Sequence, residues 1–166
     1  EILVVVTLVT VLSLIGTINI LRTRTTGNEG VALANLRQLV MALQMYSNSN
    51  NAYPTKGKWK VSMYGADCNA GTPPVPDYGP AQFCLPLKGN PANSAVRGYV
   101  YQYLGGSPAP AMSYTMKASP ETLGVTGTRS FFADETMALR HCVCPSAKSC
   151  TADASDPTID QPPSGC

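Results

Sequence analysis

Residues 1–21 read EILVVVTLVTVLSLIGTINIL, and after Glu1 no charged side chain appears until Arg22. At about 1.5 Å per residue this run makes a helix of roughly 30 Å, the depth of a bilayer core. Its hydroxyls are few and its charges absent, so it predicts a membrane-spanning or similarly apolar-surrounded helix. No initiator Met, basic leader or small-residue cleavage site stands before the domain, so the run reads as a helix retained on a processed chain rather than as a signal peptide. Arg22 and Arg24 follow it directly, and the positive-inside rule would turn them to the cytoplasm, against a simple anchor for an exported domain.

The apolar run leaves enough of the 166 residues for one modest core. Net charge is +2 with 13% charged residues, which leaves no electrostatic footprint for duplex nucleic acid. Fourteen Gly and fourteen Pro predict many turns and long loops.

Four segments follow from the pattern: an N-terminal helix over 1–53, a connector over 54–96, an antiparallel sheet over 97–142 and a Cys-rich tail over 143–166. In the helix, 1–21 is the apolar half and 29–47 an amphipathic half. Ala32, Leu36, Leu39, Leu43 and Tyr46 recur at steps of four and three on one face, with Asn35, Arg37, Gln38, Gln44 and Ser47 supplying polar positions around it. The polar RTRTTGN between the halves, with Gly27, predicts a kink or a continuous exposed stretch; a continuous helix would be about 70 Å long. The Asn-rich run before Pro54 ends it. Thr7, Thr10, Ser13 and Thr17 form a loose hydroxyl stripe, read either as a contact stripe for a neighbouring helix or as hydroxyls bonding their own backbone. TPPVPDYGP in the connector resists regular structure. Strands are expected over 98–104, 113–118, 129–133 and 137–142, the last two as a hairpin. The fold class is α+β: the sheet, of about four antiparallel strands, buries its apolar face on the amphipathic half-helix.

Cys68, Cys84, Cys142, Cys144, Cys150 and Cys166 all follow the apolar run, an even number in loop-rich sequence that predicts disulfides and an oxidising compartment. Six cysteines allow 15 pairings. Cys68 with Cys84 is the preferred pair because both lie in one Pro-rich loop; closing about 16 residues stabilises by roughly 3 kcal/mol on the chain-entropy model. The tail is too poor in apolar residues to pack without such bonds.

Catalytic and cofactor chemistry find little support. His141 with Cys142, Cys144 and Cys150 has a Cys-x-Cys spacing atypical of zinc, and there is no haem-attachment motif. Asp153, Asp156 and Asp160 lack the pattern of a calcium loop and read as a solvated acidic tail. There is no nucleophile elbow, phosphate-binding Gly loop or paired-carboxylate site, so no enzyme, cofactor or metal is expected. Lys56, Lys58, Trp59 and Lys60 form a short basic patch with one aromatic, read as a solvated loop in preference to a contact for DNA, a surface or a neighbouring subunit. The eight tyrosines fit half-buried strands.

EILVVVTLVTVLSLIG resembles the mature N-terminal helix of bacterial type IV pilins and pseudopilins, in which an acidic residue precedes the apolar run. GNEGVALANLRQLVMALQMYSNSNNAYP resembles the second half of that helix and its exit, and GVTGTRSFFADETMALRHC the C-terminal hairpin. The chain departs from the family in lacking Phe-Thr-Leu-Ile before the Glu, and in lacking the helix-loosening Gly and Pro near Thr10 and Ile18, where Gly16 is the local candidate.

The resemblance implies a lollipop-like shape and a pilin that polymerises through its N-terminal helix into an extracellular filament for adhesion, motility or surface interaction. It implies an inner-membrane location before assembly and an extracellular pilus afterwards. Partners would be copies of itself, the assembly machinery (prepilin peptidase, ATPase and platform protein), and surfaces or DNA. It assigns assembly to Glu1, whose carboxylate would neutralise a neighbour's N-terminal amine and set the stagger between apolar helices that otherwise slide freely. Alternatives are a type II secretion pseudopilin and a membrane-anchored monomeric binding domain.

Overall fold

The computed structural model describes residues 2–65, 77–84, 95–106, 110–145 and 150–166, excluding the side chains of 14–21 and 60. Helix α1 spans Ile2–Asn50, and a short α2 spans Trp59–Tyr64. A 3-10 turn covers Ala81–Phe83. The strands are β1 (Ala95–Val96), β2 (Tyr99–Gly105), β3 (Tyr114–Pro120), β4 (Arg129–Asp134), β5 (Leu139–Val143) and β6 (Ser164–Gly165). They lie in one sheet in chain order, antiparallel from β1 to β5, with β6 parallel to β5.

This corrects the expected fold class. The sheet has six strands and is mixed, where about four antiparallel strands were expected. What defines the architecture, in place of a lollipop rod, is this six-stranded mixed sheet with the second half of α1 packed on it. The two additional strands have local causes. Arg97 and Gly98 both take positive φ, 54° and 78°, which makes the tight reversal that lays β1 on β2. A disulfide between Cys142 and Cys166 holds the tail beside β5, where β6 forms.

The amphipathic half of α1 packs on β3 and β4. Ala32, Leu36, Leu39 and Leu43 are completely buried, and Val40 and Ala42 nearly so. At its C-terminal end Asn51 adopts φ 54°, a left-handed cap, before the chain turns at Pro54. Opposite the helix, Tyr99, Tyr101 and Tyr103 alternate with more exposed residues along β2, turning every second ring inward. Each buried phenol of that row has a partner: Tyr99 donates to the Arg129 carbonyl at 2.9 Å and Tyr103 to the Pro54 carbonyl at 2.6 Å. Tyr101 accepts from Asn35 Nδ2 at 3.3 Å, and Asn35 Oδ1 accepts from Gln82 Nε2 at 2.8 Å. Asn35, read from sequence as a flanking polar position, is thus a buried bridge between sheet and connector.

The connector contributes to the same core. Trp59, Met63, Tyr64 and Phe83 are buried, with Trp59 against Tyr103 (ring centroids 5.4 Å) and Phe83 edge-on to Tyr101 (4.9 Å). Burial raises the phenols of Tyr64, Tyr99, Tyr103 and Tyr114 far above their ordinary 10.0, and pushes Tyr101 up to about 12 against the lowering bond from Asn35. A raised phenol favours the neutral form in the fold, so its contribution is complete below the unfolded value and is lost as pH rises towards the folded one. The expected result is a denaturation midpoint that holds up to about pH 10 and then falls steeply, with tyrosinate absorbance from these rings appearing only as the fold is lost. A midpoint unchanged across that alkaline range would contradict the buried-phenol account.

Candidate assembly surface

The first stretch of α1 presents its apolar side chains outward. Ile2, Leu3, Val4, Val5, Val6, Leu8, Val9, Val11 and Leu12 are between 53% and 82% exposed. Val, Ile and Leu alternate around the whole circumference, so there is no polar face for water. The hydroxyls do not break this surface. Thr7 Oγ1 donates to the carbonyls of Leu3 (3.0 Å) and Val4 (2.8 Å), and Thr10 Oγ1 to those of Val6 (3.0 Å) and Thr7 (2.8 Å). Of the two readings of the hydroxyl stripe, Thr7 and Thr10 follow back-bonding; the side chain of Thr17 lies outside the described residues. Those donors are used inside the helix and are not left free for an outside partner. Val4, Leu8, Val11 and Leu12, with Thr7, line a shallow depression of about 320 Å³. A groove between rows of side chains four apart is the shape into which a ridge of another helix seats.

Apolar exposure recurs beside the sheet. On the side of α1 turned away from the core, Val31, Met41 and Met45 are 40%, 64% and 59% exposed, with exposed Ala34 and Gln38 between them. Their steps of three, four, three and four are those of a helix–helix seam.

What fastens helix to sheet is a carboxylate that sequence reading did not single out. Glu29 is 6% exposed and its Oε1 accepts from both the backbone N–H and the hydroxyl of Thr128, each at 2.8 Å. Its Oε2 accepts from Arg129 Nε at 2.8 Å. One residue earlier, Asn28 Nδ2 donates to the Thr126 carbonyl at 3.1 Å. Burial by itself would raise the Glu29 pKa, but the two Thr128 bonds and then the bond and charge of Arg129 hold it below the ordinary carboxylate value. The signal was present as a lone acid among apolar, Gly and small polar residues of the helix, but its partners lie about a hundred positions away. A cleft of about 190 Å³ opens beside this lock, between Glu29, Leu33, Arg129, His141 and Ile159.

The remaining sequence candidates fall as follows. Glu1 lies outside the described residues. So does Cys68; its expected partner Cys84 is disulfide-bonded. Cys142 pairs with Cys166 and Cys144 with Cys150. His141 is buried, its Nε2 3.0 Å from the Gln161 carbonyl. Among the described residues no group of three or more His, Cys, Asp or Glu converges on a metal position. The tail is not a uniformly solvated acidic run. Asp156 is 8% exposed; one of its oxygens accepts from the Asp153 N–H (2.7 Å) and the other from Ser164 Oγ (3.0 Å). In the basic patch, Lys56 and Lys58 are exposed, but Trp59 is sunk in the core and offers no face to a base; the side chain of Lys60 lies outside the description.

Among the described residues no helix is long and apolar enough to cross a membrane, and the side chains of 14–21, the second half of the expected span, lie outside that description. The chain matches no family model, no curated protein and no solved structure.

Proposed function

We propose that this chain is a filament subunit of the type IV pilin kind, held in the inner membrane by its apolar helix and then packed through that helix against copies of itself in an extracellular pilus. The observation that carries the reading is the exposure of nine consecutive or near-consecutive apolar positions between Ile2 and Leu12. Each such side chain gains about 1.5–3 kcal/mol on leaving water, so the segment works only when covered. Lipid would cover it as well as a neighbouring helix does, and transfer between the two gains little hydrophobic energy. The second exposed seam favours copies over lipid alone. Val31, Met41 and Met45 lie on the part of α1 that also packs on the sheet, a placement that suits cover by a neighbouring subunit better than by lipid.

In this reading the sheet and loops face outward, and Glu1 sets the stagger between helices. Assembly relies on an ATPase and a platform, because hydrophobic burial supplies no net drive from the membrane. The deciding experiment expresses the whole chain in a bacterium with a type IV assembly machinery and examines sheared surface material by cryo-electron microscopy. Filaments built from this chain are expected, with far fewer from Glu1→Ala although that variant remains membrane-held and folded. A chain that stays wholly in the membrane fraction as a monomer overturns the proposal, and normal filament yield from Glu1→Ala removes Glu1 from the mechanism.

A further inference from the structure

Four of the six cysteines meet at the β5–β6 end of the sheet, and their arrangement stands apart from the assembly surface. Cys142 on β5 is bonded to Cys166, and Cys144, just past β5, is bonded to Cys150. The two disulfides adjoin: Cys144 Sγ lies 4.0 Å from Cys166 Sγ. Strand register makes this more than proximity. β5 and β6 run parallel, with Cys142 opposite Ser164 and Val143 opposite Gly165, and the Cys166 N–H donates to the Val143 carbonyl at 3.0 Å. One further step along the same register sets Cys144 opposite Cys166. The bonded partner, Cys142, is the one placed diagonally. Neighbouring strands lie about 4.8 Å apart, inside the Cα separations a disulfide spans.

We propose that these four cysteines form a thiol–disulfide exchange site, in which reduction of the Cys144–Cys150 bond passes Cys166 from Cys142 to Cys144. The co-reactant is a dithiol reductant, of the class of thiol–disulfide oxidoreductases. Its thiolate attacks Cys150 Sγ, the more exposed sulfur of that bond, and expels Cys144 as a thiolate. The second thiol of the reductant then resolves the mixed disulfide. The reductant leaves oxidised, with its own disulfide closed, and Cys150 leaves as a thiol; two electrons have entered the protein. The Cys144 thiolate next attacks Cys166 Sγ. The Cys144–Cys166 bond forms, the Cys142–Cys166 bond breaks, and Cys142 departs as a thiolate that takes up a proton. This second step transfers no net electrons.

The product suits its surroundings. Cys142 is completely buried beside Phe132 and Ala152, where a neutral thiol packs as a small apolar group. Cys166 stays cross-linked to the β5 end in both isomers, so β6 keeps its place. What is lost is the cross-link between Cys144 and Cys150, six positions apart.

The test uses Cys150→Ser, exported to an oxidising periplasm, acid-quenched, alkylated and digested without reduction. Tandem mass spectrometry then places the alkyl group on Cys142 or Cys144. Both positions are expected to carry it, each in at least roughly a tenth of the molecules, reporting two exchanging isomers. An alkyl group confined to Cys144 overturns the proposal. Should that variant fail to accumulate, the unaltered protein is titrated with limiting dithiothreitol and mapped in the same way. Alkylation of Cys142 together with Cys150 is expected, and alkylation of only Cys144 and Cys150 overturns the proposal.

Discussion

Replacing Glu29 with Ala is expected to lower the stability of the folded domain by about 2–4 kcal/mol. A hydrogen bond to a charged group contributes about 1.5–3 kcal/mol, and Glu29 accepts three of them. These do not simply add, because all three share one carboxylate. The Arg129 side chain is 36% exposed and recovers water when its partner leaves, which keeps the loss below the roughly 3–5 kcal/mol of a wholly buried pair. Glu29→Gln, which retains an acceptor for Thr128 without the charge, should fall between wild type and Ala. The two variants also separate in acid. Glu29 is held below its ordinary 4.5, so its stabilisation is complete above that value and is lost as pH falls through the folded-state value. Wild type should therefore lose stability on the acid side that Glu29→Gln does not lose. Urea midpoints at neutral and acid pH measure both effects. A Glu29→Ala variant within about 0.5 kcal/mol of wild type would mean that core packing alone holds helix to sheet.

Replacing Val9 with Arg is expected to abolish filament formation while leaving the domain folded. Val9 is 56% exposed in the single chain, within the stretch that the proposed assembly would cover. A guanidinium at the middle of an apolar helix costs about 2.5–3.5 kcal/mol in membrane insertion, and the same penalty recurs for each subunit in a polymer. One substitution of that size lowers each packing equilibrium by about a hundredfold or more. Val9→Leu, apolar and close in volume, should assemble normally. Circular dichroism and the urea midpoint should be unchanged in both variants, since Val9 is not among the buried core residues. Filaments from Val9→Arg at wild-type yield would exclude this stretch from the packed interior.

Features whose cause is local were legible in the sequence. The core face of the amphipathic half was visible as a period in Ala32, Leu36, Leu39 and Leu43, and the alternation of Tyr99, Tyr101 and Tyr103 marked an inward-facing strand. Long-range features were not legible. Glu29 meets Thr128 and Arg129 across about a hundred residues, and nothing near Glu29 distinguishes a buried acceptor from a solvated acid. Strand β6 exists because a disulfide brings Cys166 to Cys142, and six cysteines do not declare their pairing. Strand β1 depends on an Arg-Gly reversal, where Asn-Gly or Asp-Gly would have been the stronger signal. Trp59 was read as part of an exposed basic patch because charged neighbours surround it in sequence, while the fold turns its ring towards Tyr64 and Tyr103. For the assembly surface, the sequence displayed an apolar segment, and the structure added that Thr7 and Thr10 hide their donors within it.

The sheet is bounded at one rim by β1 and at the other by β6, each of two residues. A rim that short offers a stray chain almost no ladder of unpaired amides and carbonyls to extend. Growth by adding strands, the route to amyloid, therefore finds little to extend where these two strands form the edge. On the proposed filament reading, edges this short would let the sheets of crowded neighbouring subunits meet without fusing.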